Sequence, residues 1–135
     1  MTDLRVQQLT KQFPSANGSL EILRDVDLEL NRGEALAVTG PSGSGKSTLL
    51  YIIGTLDRPT SGTVSIQGQD PFHMADEQLA QFRNKHIGFV FQDHHLLPQC
   101  NVLENVLIPA LAGTGAGAEQ EARARKLLDR VGLGT

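Results

Sequence analysis

The densest chemistry in this chain lies in nine residues, Gly40-Pro41-Ser42-Gly43-Ser44-Gly45-Lys46-Ser47-Thr48. Gly40, Gly45, Lys46 and Ser47 fall at the spacing G-x-x-x-x-G-K-[ST]. Glycines in such a loop let the backbone turn tightly and point successive amides at phosphate oxygens. The helix that should follow adds a partial positive charge of about half a unit at its first turn. Lys46 is placed to reach the terminal phosphates, and the Ser47 hydroxyl to hold Mg²⁺. Glycine averages about 7% of residues, so four specified positions coincide by chance in well under ~1% of chains.

Cleaving a bound nucleotide needs a second metal ligand and a group that orients water. The local provider is the apolar run IGFVFQD, 87–93, which closes in Gln92 and Asp93. Two readings stand side by side. Asp93 is the metal carboxylate of a small kinase, or Gln92 is the functional residue and Asp93 opens a loop. His94 and His95 follow, but adjacent histidines are poorly spaced for joint metal ligation from one element. They read as a loop facing a partner. The Gly-rich run GTGAGAEQ, 113–120, mimics a dinucleotide fingerprint; no strand precedes it, so it reads as a flexible link.

The elements that must position these residues follow from periodicity. Residues 4–9 and 20–30 read as strands joined by turn chemistry at 15–19, an antiparallel ribbon. In the second, Val26, Leu28 and Leu30 alternate with Asp25, Asp27 and Glu29. Residues 35–38 (ALAV) and 87–91 are apolar throughout, as expected of strands covered on both faces in a parallel sheet. Leu49, Leu50, Ile52, Ile53 and Leu56 mark a helix after the loop, ending before Pro59. A short strand is expected at 62–67, a helix at 76–84 with Leu79 and Phe82 inward, and a turn or two of helix in 102–112. The clearest helix is 119–131, with Ala124, Leu127, Leu128 and Val131 as its stripe and Gly132 as cap.

Composition bounds the rest. The chain has 135 residues, 39% of them hydrophobic, which suits one globular domain. A net charge of −3 offers no basic field for a nucleic-acid backbone, so nucleic acid is not an expected partner. The single Cys100 cannot form an internal disulfide, which fits a reducing cytosolic setting and a small apolar packing role. The N-terminus lacks the pattern of a signal peptide, and no apolar run approaches the ~20 residues needed to cross a bilayer. A membrane role is therefore expected to come through a partner.

Taken in order, LTKQF, RGEALAVTGPSGSGKSTLL, LDRPTSGTVSIQGQ and RNKHIGFVFQDHHLLP resemble an ABC-transporter ATP-binding subunit along essentially the whole chain. Within that superfamily the chain is most similar to the exporter branch, which includes lipoprotein-releasing, macrolide-exporter and cell-division ATPases. HHLLPQCNVLENVLIP points to the lipoprotein-releasing kind. The resemblance implies a P-loop α/β fold with an N-terminal antiparallel β subdomain, about 1–34, and a P-loop core, about 35–135, holding part of a parallel sheet. It implies ATP and Mg²⁺ as cofactors, with Gly40 to Thr48 on the phosphates and Phe13 stacked on adenine. Gln92 then touches Mg²⁺ and the attacking water, which makes Lys46 and Gln92 the catalytic pair and Ser47 and Gln92 the metal pair. Leu96, Leu97 and Pro98 would dock a helix of the membrane subunit, with ordinary local core as their bland alternative. Implied partners are a second ATP-binding subunit and integral permease subunits, at the cytoplasmic face of the inner membrane.

The family also carries a Ser-Gly-Gly signature, an Asp-Glu pair closing an apolar strand and a switch histidine. None of these occurs in the 135 residues. The chain is accordingly expected to be the N-terminal portion of a single ATP-binding domain, unable to turn ATP over by itself. Competing readings are a macrolide-exporter or cell-division type ATPase, a nucleotide-binding module without hydrolysis, a DNA-repair ATPase and the small kinase.

Overall fold

The computed structural model describes residues 2–113 and 115–134. They form two compact units, Met1–Arg83 and Asn84–Thr135.

The first unit is built on a long hairpin, β1 (Thr2–Ser15) and β2 (Gly18–Asn31), joined by a tight turn at Ala16 and Asn17. A third strand, β3 (Ser61–Ile66), pairs antiparallel with the other edge of β1, so the sheet order is β2-β1-β3. Val26, Leu28 and Leu30 are half-buried and their acidic neighbours exposed, as the alternation predicts. In β1 the alternation breaks between Val6 and Leu9, both buried, and the register shifts between them. Gln8 takes φ 48° at that bulge, and its amide donates to Asp27 Oδ1 at 2.9 Å. Gly62 sits against the same bulge with φ 89°, where an added Cβ would lie 2.4 Å from the Gln8 carbonyl oxygen. Only glycine fits there.

Helix α1 (Lys46–Ile53) lays Leu49 and Ile52 on the hairpin. They join Val6, Leu9, Leu23 and Val64 in the core, with Val38, Ile66 and Phe72 packed around them. The helix ends well before Pro59, and its last carbonyls are capped by Thr55 N–H to Ile52 O at 2.9 Å and Leu56 N–H to Tyr51 O at 2.8 Å. This pair is a Schellman arrangement, usually completed by glycine. Here buried Thr55 takes φ 61°, with Arg83 bound to its Oγ1 at 3.0 Å and its carbonyl at 2.7 Å. Arg83 belongs to α2 (Asp76–His86), which buries Leu79 and Phe82 as predicted.

The second unit holds α3 (Val102–Leu111) and α4 (Ala118–Arg130). Helix α3 is longer than the turn or two expected from a segment containing Pro109. A capping box, Asn101 with Glu104, starts it, and Pro109 removes a single i→i−4 bond in the last turn, two residues before the helix ends. Helix α4 ends in a Schellman motif: Gly132, at φ 76°, donates to Asp129 O, and Leu133 donates to Leu128 O. Of its predicted stripe, Ala124 is buried and Leu128 half-buried, whereas Leu127 and Val131 are exposed. The expected flexible link at 113–120 contains Thr114, which lies outside the described residues; α4 already begins at Ala118.

One expectation is corrected. Neither 35–38 nor 87–91 joins a sheet among the described residues, so the partial parallel core sheet is not formed as a ladder. Leu36 is 55% exposed and Val90 fully exposed. A strand exists only where neighbours on its edges take up its backbone donors and acceptors, and apolarity alone does not supply them. The only ladders described are the two antiparallel ones that flank β1.

Candidate functional site

Between 34 and 45 the chain runs without regular structure into a turn at Pro41–Ser44, closed by Ser44 N–H to Pro41 O at 3.2 Å. Gly43 and Gly45 take φ 80° and 89°. Gly45 is the cap of α1 and lies against β2: a Cβ there would meet Ile22 Cγ2 at 2.9 Å and the Ile22 carbonyl oxygen at 3.1 Å. The bend is thus seated on the hairpin through Gly45.

Lys46 is half-buried and its ammonium folds back across the bend. It donates to the carbonyl oxygens of Gly40 at 2.9 Å and Pro41 at 2.7 Å, with Ser44 Oγ at 3.4 Å. The N-terminus of α1 carries no acidic residue in its first turn and no side-chain cap. A helix N-terminus free of acids, glycine-spaced amides and a nearby ammonium are groups with the chemistry to receive an anion. The exposed Ser47 supplies one hard hydroxyl oxygen beside it. Among the described residues no three His, Cys, Asp or Glu side chains gather into a metal cage. With phosphate in the bend, one such hydroxyl would suit Mg²⁺, which keeps most of its shell as water and phosphate oxygen.

In the same unit, Phe13 is 39% exposed near the tip of the hairpin. Lys11 stands over its ring, Nζ 4.8 Å from the centroid, and pairs with Asp57 at 2.8 Å. That ammonium is the main reason the Asp57 carboxyl sits below the usual carboxylate range; desolvation opposes it and the Arg58 amide adds to it. Lys11, Asp57 and Arg83 were not read as site or scaffold residues in the sequence. Their partners lie dozens of residues away, and no local pattern marks such pairs.

In the second unit Gln92, Asp93, His94 and His95 are all exposed, in a segment without regular structure. Phe89 and Phe91 stack at 5.1 Å between centroids, and His95 meets Phe91 edge-on at 4.8 Å. Leu96, Leu97 and Pro98 are exposed as well. Asn105 on α3 pins the end of this loop. It accepts from Leu97 N–H at 2.8 Å, and its amide nitrogen donates to the carbonyls of Leu97, Cys100 and Asn101 at 3.0–3.1 Å. Cys100 is half-buried beside it.

The sequence profile of the ABC transporter family matches residues 23–135. The chain belongs to this family. It is 55% identical over 130 residues to the lipoprotein-releasing system ATP-binding protein LolD 1 of Rhodopirellula baltica, covering 96% of this chain and 57% of that protein. It is 50% identical to the LolD of Geobacter metallireducens, covering 96% and 58%. The chain therefore spans about 57% of the length of the curated relatives it matches. Among solved structures, the ATP-binding cassette MJ0796, dimeric in a post-hydrolysis state bound to ADP and Pi, aligns with a TM-score of 0.84 at 39% identity, over 93% of this chain and 56% of that one. A second dimeric structure of MJ0796, a bacterial ABC transporter cassette, aligns at 0.83. The chain path is thus that of an ABC cassette, though 35–38 and 87–91 lack their ladders. Family membership also removes the small-kinase reading of Asp93. Among the described residues, no helix is long and apolar enough to cross a membrane.

Proposed function

We propose that this chain is the nucleotide-binding portion of the ATP-binding subunit of a lipoprotein-releasing ABC transporter, both compact units belonging to one ATP-binding domain. The observation that carries the reading is the Lys46 ammonium held over the Gly40–Thr48 bend, at a helix N-terminus free of acids. On binding ATP, Lys46 exchanges the Gly40 and Pro41 carbonyls for charged phosphate oxygens, and the amides of Ser42 to Thr48 close around them. Mg²⁺, when bound, would supply positive charge against the phosphates. Ser47 would offer its hydroxyl to the ion; by the family resemblance Gln92 would serve the metal and the attacking water, and Phe13 would stack on the adenine.

The wider assignment rests on the identity to LolD proteins and on the dimeric cassettes that align with the chain. A second copy is the nucleotide-closing partner, and a permease of the lipoprotein-releasing kind receives the stroke through the loop at Gln92–Pro98. The protein then sits peripherally at the cytoplasmic face of the inner membrane and couples ATP hydrolysis to lipoprotein release. These 135 residues contain no Ser-Gly-Gly and no Asp-Glu closing an apolar run, so by themselves they bind ATP without steady-state turnover.

Calorimetric titration of Mg-ATP tests the site. Lys46→Ala removes charge-assisted bonds worth about 1.5–3 kcal/mol, a loss in affinity of roughly 10- to 150-fold. Unchanged affinity would refute the phosphate cradle. Binding to a lipoprotein-releasing permease in nanodiscs, compared with a macrolide-exporter permease, tests the transporter assignment. Equal binding to both would remove it.

A further inference from the structure

We propose that Lys11, locked by Asp57, is a positioning residue for the nucleobase: it fixes the Phe13 ring from one side so that the opposite side receives adenine. The inference rests on the reading of Phe13 as the base platform. Lys11 and Phe13 are two apart on β1 and therefore share a face of the strand. The Lys11 side chain is only 11% exposed, and its ammonium is tied down twice, to Asp57 Oδ1 at 2.8 Å and to the Arg58 carbonyl at 2.7 Å. A lysine head normally wanders on four rotatable bonds; this one is held 4.8 Å from the centroid of the Phe13 ring.

Three consequences follow. Phenylalanine has no hydroxyl or ring N–H with which to anchor itself, so an exposed Phe must be fixed through its face. A cation on one face supplies that restraint, and most strongly where it is shielded from water. The same cation draws π density toward itself, which leaves the far face less negative and better suited to an electron-rich purine. Asp57 and Arg58 also follow directly on the capped end of α1, the helix that opens with Lys46. The base platform and the phosphate cradle are therefore braced through a single helix. Asp57 itself is held by Lys11 and by the Arg58 amide at 2.8 Å, so the brace does not depend on a flexible carboxylate.

A purely structural ion pair would stabilise the unit without distinguishing one phosphate ligand from another. The test uses that difference. Affinities of the purified chain for Mg-ATP and for Mg-tripolyphosphate, which has the phosphates but no base, are measured by calorimetry for wild type, Lys11→Met, Lys11→Arg and Phe13→Ala. The expected result is a roughly two- to thirtyfold loss of ATP affinity in Lys11→Met, the span of cation–π energies from an exposed to a desolvated ammonium, with tripolyphosphate unchanged and Lys11→Arg near wild type. If Lys11→Met does not fold by far-UV circular dichroism, Lys11→Gln carries the same test, since it keeps a donor for the Arg58 carbonyl. Phe13→Ala losing ATP preference while the Lys11 variant retains it would overturn the role of Lys11 and leave the platform standing. Phe13→Ala retaining the preference would overturn the platform, and the inference with it. Equal losses for both ligands in the Lys11 variant would reduce the pair to scaffolding and overturn the inference.

Discussion

Replacing Gly45 by alanine separates two physical effects at the Gly40–Thr48 bend. Gly45 has φ 89°, and an L-residue in the left-handed region costs about 1–2 kcal/mol. The added Cβ also meets Ile22 Cγ2 at 2.9 Å, Leu23 Cδ2 at 3.0 Å and the Ile22 carbonyl oxygen at 3.1 Å. A methyl end yields by a few tenths of an ångström; a carbonyl of a paired strand does not. Overpacking of this kind costs about 1–3 kcal/mol, so Gly45→Ala should lose about 2–5 kcal/mol in all. Gly43 is the internal control. It has φ 80° with nothing within 4 Å of its Cβ position, so Gly43→Ala should lose only the conformational ~1–2 kcal/mol. Urea unfolding followed by circular dichroism, with unchanged m, reads the difference. Mg-ATP affinity should fall at least about tenfold in Gly45→Ala, because a shifted cap misdirects the amides that follow it. Equal midpoints for the two variants would show that the bend is not seated on β2, and the geometry of the cradle would have to be rebuilt.

Arg83→Met strips two bonds from buried Thr55 and should cost about 1–3 kcal/mol; a double-mutant cycle with Thr55→Gly should show coupling, and strict additivity in thermal unfolding would refute it. Asp57 titrates below its ordinary 3.8 in the folded chain, so the stability from its pair with Lys11 is complete above that value and is lost as pH falls through the lower folded-state value. Acid unfolding curves of wild type and Asp57→Asn should therefore differ, by less than about 1 kcal/mol because the Asp57 carboxylate is 36% exposed, above pH 3.8 and converge as pH falls through the lower folded-state value. Asn105→Ala removes the bonds that hold Leu97 to Asn101 on α3, and the Leu97 amide should lose its protection from hydrogen exchange while α4 amides keep theirs.

Much of this protein was legible residue by residue. The bend at Gly40–Thr48 declared itself through glycine spacing, because the need for positive φ and close approach restricts residue type at Gly43 and Gly45. Helix α4 announced both ends, and α2 its inward Leu79 and Phe82, because helical bonds and caps are made between residues a few apart. The hairpin alternation of β2 was equally local. What tertiary structure alone decided was every relation across distance. The apolar runs 35–38 and 87–91 carry the composition of buried strands, yet a ladder needs a neighbour and the composition names none. The break between Val6 and Leu9 became intelligible only as a bulge shared with Gly62. Lys11 found Asp57, Thr55 accepted a left-handed turn because Arg83 holds it, and Asn105 gathered a loop. Each of those is a contact between segments whose meeting is dictated by packing of the whole, and sequence spacing holds no record of it.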